Sequence, residues 1–373
     1  MACALAQSGR HTVTAYAGPP ASADELRRAA PELRLFRDTE EILADPAIEA
    51  VIVASPPTHR ADHLRRALQS ERHVLCVCPV DQTPDIAYET AMIQKDVGVI
   101  LLPLLPLPLH PALIRMADWY SCARSTGTVG LLRVEYAQSD VFRATMLARG
   151  KRVAIPGWEI LQRLGGDITE VSALADGEEI VPGQPFLISG RFERAGIFEV
   201  SFLPTMHEVA ARMVAGGSEG TADLVFPEGF TGPAKLSLRP NTGSTSTEEW
   251  NAWDPWKAMC EVFDIALADK AGNRARLLPI SWQLETKCLE LDDAARRSVE
   301  RRRVSMLEYP EASEEVGFKG TMTLVGCAML WVILLAVILS RWVPWLGWLV
   351  IPVLVLFLML QLLRWLLPRS ADR

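Results

Sequence analysis

Two histidines and two cysteines are the residues of this 373-residue chain whose types and spacing could do chemistry together. His59 and His63 lie four apart near the start of a predicted helix, where they share a face. Cys76 and Cys78 form C-x-C on a predicted strand, where a period of two also places them on one face. A zinc site takes three or four ligands, and neither pair has a further ligand in register. We therefore predict no metal site and interpret the cysteines as buried apolar residues, with metal or redox chemistry as the alternative.

A turn rich in proline follows the apolar run AVIVAS at 50–55. Open parallel sheets bind their ligands at the carboxyl ends of the strands. We therefore predict that Ser55, Pro56, Pro57 and His59 line a cofactor cleft, with a solvent-exposed turn as the alternative reading of His59. No residue is predicted to be catalytic.

The elements that must position this cleft follow from the rhythm of apolar and helical segments. Short apolar runs alternate with helical stretches over the first ~110 residues, which is typical of a parallel α/β sheet. The predicted strands are 11–17, 50–55, 73–78 and 97–105, and a helix is predicted to begin with Ser22 as its N-cap. The middle of the chain has short strands separated by Gly, Pro or charged turns, which predicts an antiparallel sheet closed by helices at 254–267 and 281–303. The fold class is thus α/β followed by α+β.

Three segments resemble the glucose-fructose oxidoreductase / inositol dehydrogenase / MocA (Gfo/Idh/MocA) family. They are DTEEILADPAIEAVIVASPPTHRADHLRRALQSERHVLCVCP at 38–79, HPALIRMADWY with TGTVG at 110–130, and the helix ELDDAARRSVERRR. The resemblance covers about residues 5–307, and 38–79 is its most specific part. It implies a Rossmann-type domain for NAD or NADP, a second domain with a large open sheet, homo- or hetero-oligomers through that sheet, and a small polyol ligand. In the family pattern, Val77, Cys78 and Pro79 also border the cofactor.

The chain departs from the family pattern at its amino-terminal end. The Gly-rich phosphate loop is absent, because Met1 falls where the first helix of the family begins. An acid expected after the second strand falls near 18–20, which reads Gly-Pro-Pro. We interpret the domain as truncated, and a start codon upstream of Met1 is the alternative.

Two further departures concern proton transfer. The family tripeptide E-K-P reads Val77-Cys78-Pro79, so a thiol stands where the family lysine is thought to handle the proton of the substrate hydroxyl. The helix with the family pattern D-x-G-x-H-x-x-D falls near 152–161, which contains no histidine, although Glu159 could replace its last acid. The resemblance therefore predicts a degenerate enzyme that acts as a binding or scaffold module. The alternative is an active NAD(P)-dependent oxidoreductase on sugar-like or cyclitol-like substrates.

A stretch of 44 residues near the carboxyl end, Gly320 to Leu363, holds a single charge, Arg341. A membrane-spanning helix needs about 20 apolar residues, so this length predicts two spans and a turn. Basic residues flank the stretch on both sides, which predicts a multi-pass membrane protein with its soluble body and both termini in the cytoplasm. The seven cysteines show no disulfide framework, which agrees with a reducing compartment.

Composition and linkers complete the predicted organisation. The net charge of −7 argues against a nucleic-acid-binding protein. The predicted domains are a Rossmann-type domain at 1–112, an α+β domain at 113–309, a linker at 310–319 and a transmembrane hairpin at 320–367.

Overall fold

The part of the chain that the computed structural model describes comprises residues 1–81, 83–126, 129–137, 154–181, 183–203, 209–269, 279–302 and 305–306. The chain divides into two compact units, Met1–Leu307 and Glu308–Arg373, and all described residues lie in the first. The domain boundary predicted at 112/113 stays a prediction, as does the truncation at the amino terminus.

Short parallel strands alternate with helices over the first 103 residues. In chain order these elements are α1 Ala2–Gln7, β1 Ala15–Ala17, α2 Pro20–Ala29, β2 Arg34–Phe36, α3 Thr39–Ala44, β3 Ala50–Val53, α4 Pro57–Gln69, β4 His73–Cys76, α5 Asp85–Val97 and β5 Leu101–Pro103. The strands pair in parallel as β1-β2 and as β3-β4-β5. Val74, Leu75 and Cys76 are almost fully buried, as expected of a strand covered on both faces. The predicted Rossmann-type α/β pattern is confirmed.

The prediction for the start of α2 is wrong by three residues. The helix begins at Pro20 behind Pro19, rather than behind Ser22. Proline at the first helical position lacks only an N–H that would be unpaired there, and its φ is already helical. The same reason applies to α4, which begins at Pro57 behind Pro56.

The second half of the described unit is a large sheet with helices. Its elements are α6 Pro111–Thr126, β6 Val129–Ala137, α7 Trp158–Gly165, β7 Ile168–Ala175, β8 Phe186–Phe192, β9 Ile197–Leu203, β10 Ala211–Gly217, β11 Gly220–Phe226, β12 Ala234–Pro240, β13 Ser246–Trp250, α8 Pro255–Ala268, α9 Trp282–Arg301 and β14 Ser305–Met306. The strand order is β13-β12-β11-β10-β6-β9-β8-β7-β14, with every pair antiparallel except β6 and β9. The predicted antiparallel sheet is confirmed.

The sequence did not predict β10 and β13. The segment of β10 reads ARMVAGG and that of β13 reads STEEW, so neither is an apolar run. Both are strands because a neighbour supplies the hydrogen bonds: β10 lies between β6 and β11, and β13 pairs with β12 at the sheet edge.

Helix α9 joins the two halves of the unit. Near its start, Trp282 donates from Nε1 to the carbonyl oxygen of Ala87 on α5 at 2.9 Å. Near its end, Ser298 accepts from the backbone N–H of Ala173 on β7 at 3.0 Å. Beside α9, the core of the large sheet contains the fully buried rings of Phe192, Phe198 and Phe202. Burying such a ring contributes about 1.5–3 kcal/mol to stability. Helix α9 is thus held near its start by the first half of the unit and near its end by the large sheet.

The predicted multi-pass membrane localisation requires a correction. Among the described helices, none is both long enough and apolar enough to cross a membrane. The longest of them, α9, spans 20 residues but carries nine charged side chains. The stretch 320–367, where the transmembrane hairpin was predicted, lies outside the described residues.

Candidate functional site

The loop between β3 and α4 lies at the carboxyl end of a parallel strand, as the sequence predicts. Ser55 is half-buried in this loop, and its hydroxyl Oγ lies 2.5 Å from Nδ1 of His63 on α4. Pro56 and His59 are exposed in front of this pair. The loop thus presents an accessible outer side, while a side-chain hydrogen bond holds its inner side.

Arg60 holds the loop after β3 and the loop after β4 in position. Its guanidinium donates from Nε and Nη2 to the carbonyl oxygen of Ser55, at 3.0 and 2.9 Å. It also donates from Nη1 to the carbonyl oxygen of Pro79 at 2.6 Å. The residue is 6% exposed, and these three charge-assisted bonds offset the cost of burying it. Arg60 therefore joins the loop after β3 to the loop after β4.

The loop after β4 contains Val77, Cys78 and Pro79, with a cis peptide bond between the last two. The thiol of Cys78 is buried and lies 3.6 Å from the carbonyl oxygen of Cys76. Burial raises the pKa of the Cys78 thiol well above its ordinary value, and the charge of nearby Glu285 raises it further. Cys78 is therefore a protonated thiol at neutral pH, directed into the protein rather than into a cleft.

Glu285 holds this loop from the other half of the unit. It is 2% exposed on α9, and its Oε1 accepts a hydrogen bond from the backbone N–H of Val80 at 3.1 Å. A buried carboxylate is costly to desolvate, so this contact fixes the position of α9 against the β4 loop. Sequence reasoning missed both Arg60 and Glu285. Arg60 could have been noticed in the sequence, because it is a basic residue at the fourth position of α4. Glu285, in contrast, lies 205 residues away from its partner Val80.

The histidine pair and the cysteine pair have different surroundings. The rings of His59 and His63 stack at a centroid distance of 6.1 Å, and Nδ1 of His63 is already engaged by Ser55. Burial raises the pKa of Cys76 to about 12, as expected of an apolar cysteine. Among the described residues, no group of three or more His, Cys, Asp or Glu side chains could hold a metal ion.

Helix α7 occupies the region where the resemblance places a catalytic helix. It begins after Gly157, whose φ of +96° lies in the left-handed region. The segment before it is held by Asp292 on α9, which accepts from the backbone N–H of Ile155 at 2.6 Å and from Nε of Arg296 at 2.8 Å. Glu159 lies in the first turn of α7. Burial raises the pKa of the Cys288 thiol well above its ordinary value, and the charge of Glu159 raises it further. Residues 152 and 153 of the predicted segment lie outside the described residues.

Residues 2–103 match a family model described as an oxidoreductase family with an NAD-binding Rossmann fold, named GFO_IDH_MocA. An inositol 2-dehydrogenase of Mycolicibacterium smegmatis is 33% identical to the chain over 81 residues, which are 21% of this chain and 23% of that protein. The chain thus aligns with only about a fifth of the length of such curated relatives.

Solved structures resemble the chain over a much larger part of its length. An aldose-aldose oxidoreductase from Caulobacter crescentus, complexed with glycerol, has a TM-score of 0.65 at 14% identity and covers 80% of this chain and 92% of its own. GenD2 from gentamicin A biosynthesis, in complex with NAD, has a TM-score of 0.63 at 18% identity and covers 83% and 93%. At these identities the likeness concerns the fold.

Proposed function

We propose that this chain, whose residues 2–103 belong to the Gfo/Idh/MocA oxidoreductase family, is a catalytically degenerate member that acts as a binding or scaffold module. The observation that carries the proposal is the state of Cys78. The resemblance gives this position to a lysine that handles the substrate proton, and here it holds a buried thiol whose pKa is raised well above its ordinary value.

Oxidation of a hydroxyl group by hydride transfer requires a group that accepts the hydroxyl proton. A general base works best when its pKa lies near the operating pH and its atom reaches the proton. The Cys78 thiol meets neither condition, because it is protonated at neutral pH and 7% exposed. On these grounds the usual proton transfer of the family does not take place at this position.

The residues at the carboxyl ends of β3 and β4 are better suited to holding a dinucleotide than to accepting the proton of a substrate hydroxyl. Pro56, Thr58 and His59 are exposed, and Ser55 is held rigidly behind them by His63 and Arg60. Val77, Cys78 and Pro79 form the neighbouring loop. When bound, NAD or NADP would supply a hydride donor or acceptor, and these residues would hold its position. Oligomers through the open sheet and a small polyol ligand belong to the same proposal.

The proposal is tested by separating cofactor binding from turnover. The purified full-length chain is titrated with NADH and NADPH by fluorescence, and nicotinamide reduction is then followed with inositols as substrates. We expect no turnover above the rate without protein, whether or not the dinucleotide binds. Turnover with an inositol would overturn the proposal, and its loss in the His63→Gln variant but not in the control Arg66→Gln, at an exposed residue of the same helix, would assign it to His63.

A second candidate function is supported by the pair of Ser55 and His63. Nδ1 of His63 and Oγ of Ser55 are 2.5 Å apart at the carboxyl edge of β3, so the imidazole could take up a proton through the hydroxyl. This geometry favours an active NAD(P)-dependent oxidoreductase on sugar-like or cyclitol-like substrates, with a base other than the family lysine. The His63→Gln comparison above distinguishes the two candidates, because only the second predicts a loss of turnover.

A further inference from the structure

The two parallel sheets of the first 103 residues each have an open edge. β1 pairs with β2 and β3 pairs with β4, and within the described part of the chain neither β1 nor β3 has a strand on its second side. Both sheets belong to one compact unit. A helical crossover joins parallel strands, so the passage from β2 through α3 to β3 makes β3 run in the direction of β1 and β2.

On β3 the free backbone groups belong to Ala50 and Ile52. The backbone N–H of His73 donates to the carbonyl oxygen of Glu49 at 3.0 Å, so Ala50, which lies opposite His73, directs its own N–H and C=O away from β4. Directions alternate along a strand, so Ile52 also points away. Ile52 is only half-buried, whereas its partner Leu75 on β4 is 1% exposed. The apolar run AVIV, typical of a strand covered on all sides, thus lies at an edge.

On β1 the free backbone groups belong to Ala15 and Ala17. The backbone N–H of Arg34 donates to the carbonyl oxygen of Thr14 at 2.8 Å, so Ala15, which lies opposite Arg34, points away from β2, and Ala17 does the same. Both alanines are half-buried. A row of unpaired N–H and C=O groups at a sheet edge is a template for a further strand.

Two helices cover the junction of the two sheets from opposite faces. On one face, α1 contributes Ala6 to the apolar cluster of β1 and α2, and Leu5 to the cluster that includes Ile52 of β3. On the other face, α3 contacts β1 and β2, and its Leu43 packs against the same cluster as Val51 of β3. The junction is therefore polar along its two strand edges and apolar above and below.

We propose that this junction binds an extended apolar segment of a second polypeptide, which inserts as a strand between β1 and β3 and parallel to both. We define the strand slot by its four edge residues, Ala15 and Ala17 on β1 and Ala50 and Ile52 on β3. Backbone hydrogen bonds to both edges supply affinity, and the covered faces select residues such as Val and Ile. The inference rests on the proposed function, because it names the partner class of the binding module.

The test uses a fluorescein-labelled synthetic peptide, Lys-Lys-Val-Ile-Val-Ile-Gly-Lys, titrated with the full-length chain and followed by fluorescence anisotropy. Two further peptides carry N-methyl groups on both valines or on both isoleucines. Alternate residues of a strand point to opposite sides, so each methylated peptide loses the N–H donors of one side only. Because the strand slot has two edges, each methylated peptide is expected to bind at least about tenfold more weakly than the parent.

The other outcomes contradict the strand slot. Weaker binding of only one methylated peptide would show addition to a single sheet edge. Equal binding of all three peptides would show apolar adhesion without backbone pairing. Absence of binding by the parent peptide overturns the proposal as well.

Two variants connect binding to the strand slot. Ala50→Pro and Ala15→Pro each remove an N–H that faces the slot and leave the bonds to β4 and β2 in place, so each is expected to weaken binding of the parent peptide by about fivefold. Ala21→Pro is the matched control, because Ala21 is exposed in the first turn of α2, where an N–H has no partner within the helix.

Circular dichroism checks that each variant is folded. Unchanged peptide binding in a folded Ala50→Pro or Ala15→Pro variant contradicts the assignment. The methylated peptides decide the question if neither variant folds, because they are measured with the unmodified chain.

The outcome is distinguishable from the test of the proposed function. Turnover of an inositol would overturn the degenerate-enzyme proposal while leaving peptide binding in place. Absence of peptide binding would remove the strand slot and leave the result on Cys78 untouched.

Discussion

Arg60 donates a hydrogen bond from Nη1 to the carbonyl oxygen of Pro79 at 2.6 Å, which joins the ends of two neighbouring parallel strands. The other side of the same guanidinium donates to the carbonyl oxygen of Ser55. One buried side chain thus holds both loops that border the candidate cofactor cleft.

Replacing Arg60 by Met is expected to lower the free energy of unfolding by about 2–4 kcal/mol, because the part-buried carbonyl oxygens of Ser55 and Pro79 lose charge-assisted hydrogen bonds. Urea denaturation followed by circular dichroism measures the change. Arg66→Met is the control on the same helix, since Arg66 has only an exposed pair with Glu40 at 3.5 Å, and its effect should stay within about 0.5 kcal/mol. Equal effects of the two variants would contradict the role of Arg60.

The buried thiols should react slowly with alkylating reagents. Cys78 is expected to be modified by iodoacetamide at least about tenfold more slowly than the half-buried Cys3 on α1, since the thiolate is the reactive form and burial raises the pKa of Cys78. Peptide mass spectrometry after timed alkylation at pH 8 gives the rate of each cysteine. In urea the two rates should become equal. Fast alkylation of Cys78 in the folded protein would contradict its burial.

Glu290 should make the stability of the protein depend on pH between about 4.5 and 7. Burial raises the pKa of this carboxyl to about 7, and the hydroxyl of Tyr88 donates a hydrogen bond to it. Because the folded state holds the proton more tightly than the unfolded state, its contribution is present at low pH and is lost as pH rises through this window. Melting temperatures of Glu290→Gln, measured from pH 4.5 to 7.5, should therefore fall less than those of the unmodified chain.

The exposed Glu261 on α8 provides the control for this measurement. Glu261→Gln should leave the pH dependence unchanged. A Glu290→Gln profile parallel to that of the unmodified chain would show that Glu290 does not titrate in this range.

Gly165 at the end of α7 has no room for a side chain. A Cβ atom at this position would overlap the ring of Phe192, which is fully buried. Gly165→Ala is expected to destabilise the protein by about 1–3 kcal/mol, because the core has to shift. At Gly130 a Cβ would have its nearest neighbour, the carbonyl oxygen of Gly216, at 3.6 Å, so Gly130→Ala should change stability by less than about 0.5 kcal/mol. Thermal denaturation of both variants compares the two sites, and equal stability would contradict the close approach.

The local sequence was sufficient for those elements that carry their own signal. The apolar runs before Ser55 and around Val74 predicted two parallel strands, because strands buried on both faces contain few polar residues. The helix predicted at 281–303 followed from its apolar stripe, and it forms over Trp282–Arg301 behind Ser281 as its N-cap. The loop between β3 and α4 followed from the order of these elements, and the cofactor cleft predicted there stays a prediction.

Only the tertiary structure decided which distant segments of the chain meet. β10 forms between β6 and β11 although its own residues include two glycines and an arginine. The contact of Glu285 with Val80 joins residues 205 positions apart, and it places a carboxylate beside the thiol of Cys78. Sequence showed that Cys78 is a cysteine; its protonation depends on burial and on a charge from a distant helix. Such contacts have no local pattern, because their free energy comes from groups that meet only after the chain has folded.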